Sequence, residues 1–281
     1  MDPRIRKITG AGLRLVLSAG ALYVVFRQLD IPRLKQVVVE ANLGWILLAL
    51  GAYVLSKVIS AFRLMAYLRC QDIVLSPSKN LRLYFIGMFY NLFLPGGIGG
   101  DAYKVWILHR DLQVPAGKSA HAMLFERFSG LVALAAIGFL LTWLAFPKTP
   151  YDFLIIGGFL LTLPASYAVH RWFGKQYLPV LRQTTLTSVL VQLVQVICAW
   201  ALLQSLHIQE NLAVYLAVFL LSSLVAVLPI SIGGIGLREL VFVTAAGYSS
   251  ISRESSVAFS LLFFVVTALS SLPGGLTTFR R

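Results

Sequence analysis

Leu94-Pro95-Gly96-Gly97-Ile98-Gly99-Gly100 interrupts one long apolar stretch of the chain, and Leu228-Pro229-Ile230-Ser231-Ile232-Gly233-Gly234 interrupts another. Proline lacks a backbone donor and clashes with the preceding turn, while clustered glycines relax the chain, so a helix stops at each string. Unpaired backbone at membrane depth is tolerated only inside protein or beside a watery cavity. Each string therefore marks either a kinked crossing or a hairpin that enters, turns and leaves on one side. The hairpin is the reading that the charges favour.

The surrounding chain is 58% hydrophobic and 12% charged, with a mean hydropathy of +0.81. One soluble core of 281 residues cannot hide that much apolar surface, so hydrocarbon must be the solvent for much of it. A crossing needs roughly 20 apolar residues. Six segments meet that need: 10–29, 43–67, 119–146, 151–169, 185–206 and 255–278. The two broken stretches are 81–108 and 211–248. No polar block is large enough for a separate soluble domain, so 1–281 reads as one membrane domain.

The net charge of +13 sits mostly in short loops, where positive-inside topology accounts for it better than nucleic acid does. Attraction of anionic lipid headgroups is a secondary role for these loops. Residues 1–7 are basic, precede an apolar run and lack an A-x-A cleavage site, which predicts a retained signal anchor. With both termini cytoplasmic and both broken stretches re-entrant, the inner segments collect Arg4, Arg6, Lys7, Arg69, Lys79, Arg82, Arg110, Lys118, Arg171, Lys175, Arg182, Arg280 and Arg281. The outer segments keep Arg27, Arg33, Lys35, Lys148 and Arg253. If the first broken stretch alone crossed fully, Arg171, Lys175 and Arg182 would move outside and the bias would weaken.

The two strings align at an offset of 134 residues, which also sets Lys104 opposite Arg238 and brings the flanking crossings into register. The expected fold is thus all-α and integral to the membrane: six full crossings plus two re-entrant helical hairpins in an inverted-topology repeat. The repeats cover about 8–146 and 151–279. Many secondary transporters share this plan and bind at midplane between discontinuous helices. A third string, Leu272-Pro273-Gly274-Gly275, has no polar partner and reads as a helix end near the cytoplasmic face.

Asp101 and Lys104 follow the first break three residues apart and share a face if a helix starts there. A helix N-terminus with free backbone donors attracts anions, and Lys104 strengthens that pull for a phosphate headgroup. Gly96, Gly97, Gly99 and Gly100, with Gly233 and Gly234 in the second break, would supply the donors. Asp101 is expected to cap the helix or pair with a basic residue. Arg238 could hold phosphate bidentately, with Glu239 as its counter-ion when the site is empty. Asn91 and Ser231 could satisfy the broken backbone.

Glu126 and Arg127 lie in an otherwise apolar crossing, where ionisable groups default to function. The plainer alternative is a snorkelling Arg127, with Glu126 paired to it or to another base. Lys57 lies deep in the second crossing, whereas Arg63 and Arg14 lie where they could snorkel. No G-x-x-x-x-G-K-[ST] loop is present to bind ATP, and the four histidines lack metal-ligand spacing. Neither a cofactor nor a metal is expected. Cys70 and Cys198 are too few for a disulfide framework, and Cys198 reads as a small buried apolar residue.

Residues 91–101, Glu126-Arg127 and residues 228–239 together resemble the lysylphosphatidylglycerol synthase transmembrane region family, which includes the flippase domain of multiple peptide resistance factors. The resemblance covers essentially the whole chain. It implies a bacterial or archaeal cytoplasmic-membrane protein that moves a lipid between leaflets, and it marks Asn91, Asp101, Glu126, Arg238 and Glu239. Synthase members carry a soluble aminoacyl-transfer domain; this chain ends at Arg281, so synthesis of aminoacylated lipid is not expected.

The leading expectation is a flippase for a phospholipid or a polyprenyl-linked sugar with a phosphate-bearing headgroup. In it Lys104 and Arg238 bind phosphate, while Asp101, Glu126 and Glu239, with Arg127 beside them, tune the charge or carry a coupling proton. The alternatives are a membrane-embedded glycosyl- or phospho-group transferase and a non-catalytic partner of a glycosyltransferase. Expected partners are the lipid itself and a glycosyltransferase or other lipid-modifying enzyme, with a homodimer admitted and nucleic acid excluded.

Overall fold

The computed structural model describes residues 31–93, 99–227, 234 and 236–279. The expected crossing at 10–29, Arg14, Gly96, Gly97, Ser231 and Gly233 lie outside the described residues. Within them the chain is helical and has no strand. A short amphipathic helix not foreseen in the sequence, α1 (Ile31–Val39), leads into α2 (Leu43–Arg69). Asn42 makes that junction, its side chain accepting from Gly44 N and Trp45 N, a common way to occupy the free donors of a helix start.

Among the described residues, five helices are long and apolar enough to cross a membrane. They are α2, α5 (Ala116–Ala145), α6 (Asp152–Phe173), α7 (Leu181–Ser205), which a short 3-10 turn at Lys175–Val180 precedes, and α10 (Arg253–Phe279). Each coincides with one of the crossings expected after the first. The remaining four are shorter: α3 (Pro77–Phe93) and α4 (Gly99–Leu112) flank the first break, and α8 (Leu212–Ala226) and α9 (Leu237–Tyr248) flank the second. At 1.5 Å per residue they measure about 18–26 Å, less than the roughly 30 Å of a hydrocarbon core.

The packing follows two apolar clusters. One joins Leu68, Ile73, Leu75, Leu83, Leu108, Met123 and Tyr177, which brings together the end of α2, the start of α3, the end of α4 and the start of α5. At the other end of α2, Asn42 N donates to Ser205 O at 2.8 Å and Trp45 meets Trp200 edge-on at 5.2 Å. Asn211 at the start of α8 donates from Nδ2 to Ser250 O at 3.0 Å. Ile251 joins Leu206, Val214 and Tyr215 in the second cluster there. Much of α6 instead turns large side chains outward, with Phe153, Leu160 and Leu163 each more than half exposed. A lipid-facing helix needs that surface, because lipid tails solvate it as well as protein would.

Backbones approach closely on both sides of α3. A Cβ at Gly100 would collide with the Gly87 carbonyl, and one at Gly274 with the Phe85 carbonyl. This second contact corrects the reading of Leu272-Pro273-Gly274-Gly275 as a helix end. Helix α10 runs through Pro273 to Phe279, and its glycines serve to seat it against α3.

Replacing Gly100 by alanine therefore overpacks the α3–α4 contact at a cost of about 1–3 kcal/mol. Gly117→Ala is the matched control, since nothing lies within 4 Å of the Cβ it adds. In detergent, Gly100→Ala is expected to melt several degrees lower than Gly117→Ala. Equal melting temperatures would refute the close approach.

Candidate functional site

The helix ends beside the two breaks face a cavity of about 300 Å³, whose walls come from α2, α3, α4, α5, α7, α9 and α10, with Ser223 of α8. The first break is closed by a side chain. Asn91, near the end of α3, accepts the Gly100 N–H through Oδ1 at 2.8 Å. A helix start inside an apolar bundle needs such a partner for its free donors. Asp101 then stands in the first turn of α4 and takes Lys104 Nζ on Oδ1 at 2.6 Å. Its Oδ2 accepts from Arg127 Nε of α5, and Arg127 Nη2 reaches Asn91 Oδ1 at 3.5 Å. The stem of Lys104 crosses α3 at Gly87, where a Cβ would sit 2.7 Å from Lys104 Cε.

A second ion pair lies deeper. Arg63 of α2 and Glu126 of α5 are each about 5% exposed, and Arg63 donates to Glu126 Oε1 from Nη2 at 2.5 Å and from Nε at 3.2 Å. Arg63 Nη1 also donates to Ser188 Oγ of α7 at 2.9 Å. The pairing corrects the expectation that Arg63 snorkels. Its guanidinium turns inward because a carboxylate and a hydroxyl from two neighbouring helices await it. Glu126 is thus paired with a base, which is Arg63 and not Arg127.

The second break is built differently. Gly236, at φ +83°, caps α9, and its N–H donates to Glu239 Oε2 at 2.7 Å. Glu239 Oε1 accepts from Ser260 Oγ at 2.7 Å, and the residue is 1% exposed. Glu239 is therefore absent from the cavity wall and makes no ion pair with Arg238. Its carboxylate accepts from the Gly236 N–H and from a serine on α10, so the counter-ion expected for Arg238 stands beside it without a direct ion pair. Arg238 faces the cavity, donates from Nη1 to Ser223 Oγ at 3.0 Å and lies 5.0 Å over the Phe263 ring.

Of the residues singled out in the sequence, Asn91, Asp101, Lys104, Glu126, Arg127 and Arg238 all meet in this one cavity. Gly99 and Gly100 do not line it; Gly234 lines a second lobe of about 260 Å³ that shares the walls made by Tyr53, Lys57, Asn91 and Arg238. The wall also holds polar residues that the sequence does not single out, among them Gln192, Gln195, Ser223, Ser60 and Thr267. The glutamines occur three apart in an apolar crossing, which is a visible signal for a shared helix face. Gln192 Nε2 donates to Gly130 O at 3.3 Å, while its Oε1 is buried without a protein partner.

Among the described residues the wall carries five cations (Lys57, Arg63, Lys104, Arg127 and Arg238) against two carboxylates, Asp101 and Glu126. Among the described residues no group of three histidine, cysteine or acidic side chains is placed to hold a metal. A family model described as the lysylphosphatidylglycerol synthase TM region matches residues 12–274. The chain belongs to that family. A comparison with curated proteins returned no match.

Membership and geometry together make the buried pair open to a stability test. Glu126→Leu strands Arg63, which for a buried pair costs about 3–5 kcal/mol, whereas Glu126→Leu with Arg63→Met removes both charges and recovers most of that loss. Thermal unfolding in detergent reads both. Simple additivity of the two single losses would show that the pair does not act as a unit.

Proposed function

We propose that this protein moves a lipid with a phosphate-bearing headgroup between the leaflets of the cytoplasmic membrane. The observation that carries the proposal is the cationic cavity among apolar helices, lined by residues of the helices that flank the two breaks. A charged headgroup cannot cross hydrocarbon unaided, because burying an unpaired charge there is costly. Lys104 and Arg238 are the headgroup-binding side chains in this reading, and Asp101, Glu126 and Arg127 keep the wall charge-balanced when it is empty. Family membership supports a lipid as the cargo, since the family takes its name from lysylphosphatidylglycerol.

The reading includes two re-entrant hairpins, α3–α4 and α8–α9, that enter from opposite faces. Each of the four helices is too short to cross alone. The gathering of Leu75, Leu83 and Leu108 at one end, and of Val214 and Ile251 in the other cluster, supports this entry. It also includes the inverted repeat. A shift of 134 residues carries 43–69 onto 177–203, 77–93 onto 211–227, 99–112 onto 233–246 and 116–145 onto 250–279. The helices found there are α7, α8, α9 and α10. The packing respects the exchange: α3 lies against α10 as α8 lies against α5, and α2 lies against α7.

A transferase remains the competing class. It would need a free carboxylate as base, but Asp101 is held by two cations and Glu126 by Arg63. Both acids therefore suit charge balance better than proton abstraction.

Two experiments test the proposal. In proteoliposomes containing fluorescent phosphatidylglycerol, the wild type is expected to expose inner-leaflet probe to external dithionite, and Arg238→Ala or Glu126→Ala to abolish that exposure. Unchanged translocation in both variants would sink the site assignment. For the hairpins, single cysteines at Lys79, Lys118, Asn211 and Ser250 in a Cys70→Ser/Cys198→Ala background are labelled with an impermeant maleimide. Positions 79 and 118 are expected on one face and 211 and 250 on the other. Labelling of 79 and 118 from opposite faces would mean that α3–α4 crosses.

A further inference from the structure

We infer that the headgroup this cavity takes is of the diphosphate class, held at two points by Lys57 and Arg238; the inference rests on the proposal that the cargo is a lipid. Of the five cations in the wall, three are committed. Arg63 is bound to Glu126, and Lys104 and Arg127 share Asp101. Lys57 and Arg238 have no carboxylate within ion-pair distance among the described residues. Both line the lobe of about 260 Å³, and no acidic residue is among the described residues that line it.

The two free cations flank one aromatic pair. Lys57 Nζ stands 4.5 Å from the Tyr53 centroid, Tyr53 meets Phe263 edge-on at 5.6 Å, and the Arg238 guanidinium lies 5.0 Å from the Phe263 centroid. Ring faces stabilise a cation that has no anion, so the arrangement holds both charges in place while the lobe is empty. A single phosphodiester, with one negative charge, leaves one of them uncompensated in an apolar bundle. Two linked phosphates satisfy both. The wall as a whole agrees: five cations and two carboxylates leave a formal excess of three positive charges, and counting Glu239 behind the wall still leaves two. A cationic headgroup such as lysylphosphatidylglycerol would meet repulsion here. This chain is thereby set apart from the lipid that gives its family a name.

Diphosphate could arrive on a lipid or free in solution, and binding to the purified full chain in detergent separates the sources. The probes are farnesyl diphosphate, inorganic pyrophosphate, phosphatidylcholine and lysylphosphatidylglycerol. Farnesyl diphosphate is expected to bind at least tenfold more tightly than each of the other three. Lys57→Gln and Arg238→Gln should each weaken it tenfold or more, and Lys57→Arg should restore most of the loss at an unchanged melting temperature. Equal affinity for phosphatidylcholine or lysylphosphatidylglycerol, or indifference to both glutamine variants, overturns the inference. Pyrophosphate binding as tight as farnesyl diphosphate overturns its lipid half. Translocation is read separately in the liposome assay. Transport without charge discrimination leaves the flippase reading standing and defeats this one, and diphosphate binding through Lys57 without transport does the reverse.

Discussion

A helix that stops inside an apolar bundle exposes backbone donors that no solvent is there to accept, and this constraint organises the protein. Two side chains meet it. Asn91 reaches across the first break to Gly100 N, and Glu239 reaches back to Gly236 N at the second. Each fixes a helix start at the edge of the same cavity, and each thereby aims the next polar residues of that helix. With Gly100 tied to Asn91, Asp101 turns toward Arg127 of α5 while Lys104 lies across α3 at Gly87. With Gly236 tied to Glu239, Arg238 turns toward α8 and α10. The site is a consequence of how the breaks are sealed.

The two seals differ in charge, and that difference shapes the electrostatics. A neutral amide closes the first break, so the acid beside it, Asp101, stays available to bind Lys104 and Arg127. An acid closes the second, so Arg238 is left without a carboxylate in the cavity. Within the proposed repeat, Lys104 and Arg238 are counterparts, yet one is neutralised and the other is open. An anion entering the cavity meets its strongest unopposed field on the side of α9, beside Lys57 of α2.

Much of this was legible before any coordinates. Five crossings follow from hydropathy because a 20-residue apolar run has few other solutions. The breaks follow from Pro95, Pro229 and their glycines because helix termination is a local property. What stayed hidden depends on register between helices. Glu239 stands three residues after Gly236, a local capping position at a helix start, whereas only the packing shows that Glu126 pairs with Arg63 across 63 positions. The depth of Arg63 in its crossing allows snorkelling, but depth does not report the Glu126 carboxylate facing it. Pro273 misled for a related reason: the string that ends a helix at one site seats a helix at another, and the neighbouring Phe85 carbonyl decides which.

The distribution of glycines sharpens the distinction between a break and a seat. At Gly100 and Gly274 the missing side chain lets backbone touch backbone on the two sides of α3. That helix is consequently clamped between α4 and α10, and Asn91 near its end is held where the Gly100 N–H must find it. Rigidity at this point matters to the proposed discrimination by charge. A wall that could shift would bring Asp101 toward Lys57 or Arg238 and move the open charge to Lys104 and Arg127 instead. Tight packing of α3 keeps Asp101 paired with Lys104 and Arg127, and it leaves Lys57 and Arg238 as the charges that the proposed headgroup would have to satisfy.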